Sequence, residues 1–118
     1  MKKENRNKGN YGEQTAIEYL LNKDYKILEK NFTTKIGEVD IIAKDNDIVV
    51  FIEVKLRRNS KYGYPFEAVD YKKQKKIINV AQLYVKYKKL YNTQLRFDII
   101  EVYLDNNYIN HISNAFWA

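Results

Sequence analysis

The sequence of 118 residues contains no cysteine. That absence excludes disulfide scaffolds, thiol catalysis, cysteine-ligated zinc and iron–sulfur clusters. Histidine occurs once, at His111, so no dyad with a second histidine exists and a structural role is expected. Long apolar runs are missing too. The longest aliphatic or aromatic run, Ile48 to Ile52, has five residues, against about 20 for a membrane-spanning helix. Met1-Lys2-Lys3 is not followed by an apolar segment, so no secretory signal is expected and the cytoplasm is the expected location. Proline occurs once, at Pro65, in the polar stretch 57–65 that reads as a loop.

What is present fits one soluble α/β domain. Hydrophobic residues make up 45% and charged residues 31% of a 14.1 kDa chain, enough to bury one core without a metal or cross-link. Formal charge is +6, and its distribution matters more than its total. Residues 55–90 carry eleven basic side chains against Glu67 and Asp70, and residues 1–10 carry a net +3; the rest of the chain is net −6. A basic segment set against an acidic remainder suits a polyanion such as nucleic acid, although a solvated helix face explains such charge equally well.

Hydrophobic periodicity divides the chain. Residues 1–10 are polar and read as a disordered basic tail; residues 11–118 read as the domain. Residues 11–23 read as a helix capped by Asn10, with Ala16, Ile17, Leu20 and Leu21 as its buried stripe. Residues 25–34, 37–44 and 48–56 read as strands, the last two joined by a tight Asn46-Asp47 turn. Residues 66–90 are mostly helical, with Asp70 as cap and Ile77, Ile78, Ala81, Tyr84 and Val85 buried. Residues 95–104 and 108–112 complete the strands. The order implies an antiparallel meander, then a crossover helix that lays the fourth strand parallel to the third.

Three charges interrupt otherwise apolar strands: Asp40, Glu53 and Lys55. Period two places Glu53 and Lys55 on one face with Val49 and Phe51. With a two-residue turn at Asn46-Asp47, Asp45 pairs with Ile48 and Asp40 lies opposite Glu53. Cross-strand Cβ atoms are about 4.5–5.5 Å apart, so the two carboxylates repel unless a cation lies between them. A hard cation such as Mg²⁺ or Mn²⁺ suits that pair, and Lys55 can hold a water or offset charge on a phosphate. Glu13 prolongs the buried stripe of the first helix and Gln74 that of the second, so both are candidates for the same place. Strand-end salt bridges, a first-turn helix acid and an ordinary surface glutamine are the plain alternatives.

The motifs carry a resemblance. Gly37-Glu38-Val39-Asp40-Ile41 followed by Phe51-Ile52-Glu53-Val54-Lys55 resembles the PD-(D/E)XK signature of restriction-endonuclease-like nucleases. With Gly12-Glu13-x-x-Ala16, Gly63-x-Pro65-x-Glu67-Ala68-Val69, Lys73-Gln74, Arg96-Phe97-Asp98 and Asn114-Ala115-Phe116, the chain resembles the YraN-like family of bacterial proteins, similar in plan to archaeal Holliday junction resolvases. The resemblance runs from about residue 11 to the end. It implies an αβββαβ core around a mixed sheet with flanking helices. It implies Asp40, Glu53 and Glu13, the helical acid, as metal-binding acids, the Val54 carbonyl as a backbone ligand, Lys55 as catalytic lysine, and Glu13 and Gln74 as further members of the catalytic set. Leu56 stands where threonine is common, and Thr33-Thr34-Lys35 has few arginines.

The expected activity is therefore Mg²⁺- or Mn²⁺-dependent hydrolysis of DNA, including branched DNA, with RNA as the other polymer. A non-catalytic nucleic-acid-binding module on the same fold is the alternative. Arg57, Arg58, Lys61, Lys72, Lys73, Lys75 and Lys76 are the expected phosphate contacts. No membrane partner is expected, and a homodimer is compatible with a two-fold junction substrate. Of eleven tyrosines, only Tyr62 and Tyr64 are candidates for base stacking; Tyr19, Tyr84, Tyr87 and Tyr103 are expected to pack. Phe116 and Trp117 are expected to cover one edge of the core.

Overall fold

The computed structural model describes residues 2–58 and 69–118. Its elements follow the order α1 (Lys2–Asn22), β1 (Lys26–Thr34), β2 (Gly37–Asp45), β3 (Ile48–Arg57), α2 (Tyr71–Lys88), β4 (Leu95–Tyr103) and β5 (Ile109–Phe116). The strands form one mixed sheet in sequence order. β1–β2, β2–β3 and β4–β5 are antiparallel, and β3–β4 is parallel. This is the mixed α/β sheet with flanking helices expected from periodicity, and it is compatible with a restriction-endonuclease-like core.

Local chemistry explains the joints. Asp45 pairs with Ile48 across a two-residue turn, and Asn46 takes φ +54° there, a conformation asparagine tolerates well. The register counted from that turn is the observed one. Gly37 opens β2 at φ +152°, a backbone conformation that side chains rarely adopt, so the turn after Thr34 needs glycine. Asp70 caps α2 as expected, accepting from Lys73 N at 2.8 Å.

Two cores flank the sheet. Ala16, Ile17 and Leu20 of α1 pack with Ile41, Ala43, Val50, Ile52, Ile100 and Val102. Ile77, Val80, Ala81 and Tyr84 of α2 pack with Val39, Ile42, Val49, Phe51, Phe97, Ile99 and Phe116 on the other face. Each fully buried large aliphatic or aromatic side chain contributes roughly 1.5–3 kcal/mol. Phe51, Phe97 and Phe116 stack in a row with centroids 5.6 and 5.2 Å apart, which anchors the chain terminus onto the α2 face.

Several sequence expectations change. The first helix begins at Lys2 rather than after Asn10, so the backbone read as a disordered tail continues the helix; composition judges burial, whereas a polar segment attached to a packed helix propagates it cheaply. Leu21 is exposed, one step around the helix from the buried Ala16-Ile17-Leu20 line. Tyr87 is 68% exposed and Trp117 75%, so neither is a core residue; Phe116 alone does the covering. β5 runs to Phe116 rather than stopping at residue 112. Glycine and proline at 63 and 65, with Tyr62, Tyr64 and Glu67, lie outside the described residues.

Candidate active site

The β2–β3 ladder runs from Asp45↔Ile48 to Ile41↔Ile52 and stops. β2 continues to pair with β1, through Thr34↔Gly37, while β3 continues to pair with β4, through Arg57↔Tyr103. The two central strands therefore part just beyond Ile41 and Ile52. Asp40 and Glu53 are the next residues on either side of that parting.

The parting leaves backbone groups of β3 without a ladder partner, and Asp40 answers one of them. Val54 N donates to Asp40 Oδ2 at 2.8 Å. A strand residue sends its N–H and C=O to the same side, so the Val54 carbonyl also faces the gap, where the expected backbone ligand belongs. Glu53 is 5% exposed and lies close enough to Asp40 for each carboxyl to act on the other. The carboxylates thus come together where the count from the turn puts them, one step beyond the end of the regular ladder and beside the amide that Asp40 accepts.

The electrostatics follow. Burial, then the neighbouring Asp40 charge, pushes Glu53 up to about 7, against the pull of Lys73 and Lys55. Burial likewise raises Asp40, although hydrogen bonds from Val54 N and Glu53 oppose the rise. Glu13, on the opposite face of the sheet, is raised by burial and then by Asp40. It sees Asp40 across the gap between strands. Gly12 brings it there: a Cβ at that position would lie 3.3 Å from Leu56 Cδ1 and 3.7 Å from Val54 Cγ1, so glycine lets α1 approach β3 closely. Glu38 is exposed.

Two ammonium groups reach Glu53 Oε2: Lys55 Nζ at 3.5 Å and Lys73 Nζ at 3.7 Å. Lys55 is the pleat neighbour foreseen from the strand period. The sequence by itself places Lys73 only among the phosphate contacts. Its spacing carried the signal, since it lies four residues before Ile77, on the buried side of α2. Gln74 does not spend its amide on the acids: Gln74 Nε2 donates to Val69 O at 3.1 Å. It braces the start of α2, and hence the position of Lys73.

The phosphate contacts expected from sequence divide. Lys72, Lys75 and Lys76 are exposed on α2, and Arg58 is exposed after β3. Lys61 lies outside the described residues. Arg57 turns inward, with Nε on Glu101 Oε2 at 3.2 Å. Glu101 went unnoticed in the sequence, although it interrupts an apolar strand much as Glu53 does.

A second polar cluster, at the turn end of the sheet, ties strands and helix together. Arg96 grips both oxygens of Asp98 at 2.9 Å and also bonds Asp45 at 2.9 Å and Tyr25 at 2.7 Å. His111 Nε2 lies 2.7 Å from Asp98, and His111 Nδ1 lies 3.0 Å from Tyr19 Oη. This satisfies the structural expectation for the lone histidine.

What can the acid pair hold? Two carboxyls, one of them pushed up to about 7 by burial and then by the other, form a place that a hard cation would relieve. Asp40, Glu53 and the Val54 carbonyl are all oxygen donors, which suits Mg²⁺ or Mn²⁺ and not a soft metal. Among the described residues no three acidic or histidine side chains converge, so any ion here would keep several waters.

Comparison with known proteins reaches the same span of chain. The model of "Uncharacterised protein family UPF0102" matches residues 12–102, which include Glu13, Asp40, Glu53, Lys55 and Gln74. A UPF0102 protein of Clostridioides difficile (strain 630) is 58% identical over 112 residues, covering 95% of this chain and 98% of its own. One from Caldanaerobacter subterraneus subsp. tengcongensis is 50% identical over 122 residues, covering 98% and 100%. One from Persephonella marina is 50% identical over 109 residues, covering 92% of each chain.

Proposed function

We propose that this chain, which belongs to the UPF0102 family, is a divalent-metal-dependent phosphodiesterase acting on DNA, including branched DNA. The observation that carries the reading is the pairing of the buried Glu53 with the half-buried Asp40 at the parting of β2 and β3, with Lys55 3.5 Å from Glu53. Asp40, Glu53 and the Val54 carbonyl would hold Mg²⁺ or Mn²⁺. Bound there, the ion supplies Lewis-acid stabilisation of charge on a phosphoryl oxygen. Lys55 orients the attacking water and stabilises negative charge on the phosphate. Lys73 balances Glu53 from the helix side. Glu13 adds negative potential from the other face, and Gln74 fixes the first turn of α2.

The charge pattern supports a polyanionic substrate. Lys72, Lys73, Lys75 and Lys76 crowd the first six residues of α2, where the helix dipole favours acids rather than cations. Such placement costs helix stability and makes sense if a phosphate backbone passes there.

The test is cleavage of linear and branched DNA with Mg²⁺ or Mn²⁺. Asp40→Ala and Lys55→Ala should each lower the rate at least a hundredfold, a loss typical of removing one group that stabilises developing charge. Equal activity of the three proteins would overturn the catalytic assignment.

One observation favours a second reading, a nucleic-acid-binding module without cleavage: two ammonium groups, Lys55 and Lys73, stand 3.5 and 3.7 Å from Glu53 Oε2, on the side where a cation would bind. It predicts salt-sensitive DNA binding that survives Glu53→Gln, with no turnover in either metal.

A further inference from the structure

Arg57 and Glu101 stand beside the acid pair and need an explanation of their own. Lys55 pairs with Glu101 and Arg57 with Tyr103 across the parallel β3–β4 ladder. By period two, Arg57 shares the face of Lys55 and Glu53. Phe97 and Ile99 pack on that face, so Glu101 and Tyr103 lie on it as well. Glu101 is therefore a lateral neighbour of the proposed catalytic lysine, on the same side of the sheet.

Glu101 is fully buried. A carboxylate in that position is costly unless several donors satisfy it. It has three, each from a different strand: Arg57 Nε at 3.2 Å, Tyr103 Oη at 3.1 Å and Asn110 Nδ2 at 2.9 Å. The guanidinium it holds is only partly used. Nη2 of Arg57 is buried without a hydrogen-bond partner, and no other side-chain nitrogen or oxygen among the described residues is in that condition. An orphaned donor on a permanently charged group lacks a strong acceptor. The side chain as a whole remains 26% exposed, although Nη2 itself is closed to solvent, so the acceptor that it lacks has to come in along the exposed part of the side chain.

We propose that Arg57 is a clamp for one backbone phosphate of the nucleic acid, and that Glu101 is a positioning residue that holds the guanidinium by Nε and leaves its Nη groups for the phosphate oxygens. Guanidinium and phosphate match as planar fork and tetrahedral oxyanion, which an ammonium cannot reproduce. Arg57 lies two residues beyond Lys55 on the same face, so the clamped phosphate is a neighbour of the one to be cleaved. This inference rests on the nucleic-acid reading of the site, but not on cleavage or on metal.

The experiment is binding of a fluorescent DNA oligonucleotide in EDTA, across a salt series, by folded proteins checked by circular dichroism. Arg57→Lys keeps the charge and loses the fork. Its Kd should rise about tenfold with the salt slope unchanged, whereas Arg57→Gln should also lose about one counterion from the slope. Glu101→Gln gives the decisive sign. Removing a negative charge beside the site strengthens DNA binding on charge grounds alone; loss of a positioning residue weakens it severalfold instead. Unchanged or tighter binding by Glu101→Gln would remove Glu101 from the proposal, and wild-type affinity in Arg57→Lys would overturn the clamp while leaving the nuclease reading intact. If Glu101→Gln does not fold, Arg57→Lys decides alone. Wild-type protein that binds no DNA at low salt would overturn both readings together.

Discussion

At the scale of single residues, Glu53 is the most consequential side chain. Its carboxyl is pushed up to about 7 by burial and by Asp40, above the ordinary value of 4.5 for the same group in an unfolded chain. The folded state therefore holds a proton that the unfolded state releases earlier. Its contribution to stability is fully present below pH 4.5 and is lost as pH rises towards 7. Glu53→Gln removes this dependence. The variant should match wild type near pH 4.5 and exceed it at pH 8 by on the order of 2 kcal/mol, read from urea midpoints at the two pH values. Greater wild-type stability at pH 8 would mean that Lys55 and Lys73 outweigh burial and Asp40. Mn²⁺ should restore wild-type stability at pH 8 and leave Glu53→Gln little changed, because an ion that binds only the folded state adds stability by mass action.

At the scale of elements, the site depends on how three pieces are set: the β1–β2 turn, the middle of α1 at Gly12 and the start of α2. Gly37 governs the first. Its φ of +152° strains any other residue, whereas an added Cβ would only touch Val80 of α2, at 3.4 Å. Gly37→Ala should cost about 1–3 kcal/mol, measured by thermal melting. It should also lower DNA cleavage, since β2 carries Asp40 three residues on. Unchanged stability would show that the turn relaxes freely and that the site does not lean on it. α2 is held differently, by the Asp70 cap and by the Gln74 bond to Val69 O. Those two bonds fix the turn from which Lys73 reaches Glu53, so a helix terminus acts here as a mount for a side chain.

At the scale of the whole molecule, the Arg96–Asp98–His111 cluster ties the parts together. It links β4 to β5 through His111 and Asn114 N, to β2 through Asp45, and to α1 through Tyr19. Burial alone raises the Asp98 carboxyl, but the bonds from His111, Arg96 and Asn114 N outweigh it and hold Asp98 below the usual value of 3.8. Its stabilising contribution is present above pH 3.8 and is lost as pH falls through the lowered value. Asp98→Ala leaves Arg96 without its bidentate partner and should cost about 3–5 kcal/mol, a large share of the roughly 5–15 kcal/mol available to such a domain. Denaturant titration checks this. The variant should also lose the wild-type fall in stability below pH 4 that Asp98 causes. A loss under 1 kcal/mol would mean that Asp45 and Tyr25 suffice to hold Arg96.

Backbone period and turn chemistry alone determined the order of elements, the tight turn at Asn46, the Asp70 cap and the facing of Asp40 and Glu53. Those features follow from repeats of 2 and 3.6 residues and from which side chains tolerate a turn, all of which are local properties. Tertiary structure decided the rest. Whether Leu21 or Tyr87 is buried depends on how far each helix is rotated against the sheet. Lys73 reaches Glu53, and Gln74 does not, because the start of α2 is fixed by its cap and by Val69. Glu101 could be read as an oddity in its strand, but its partner Arg57 is 44 residues away, joined to it only through the parallel pairing of β3 with β4. Side chains so far apart in the chain meet by packing, and packing has no period that a sequence displays.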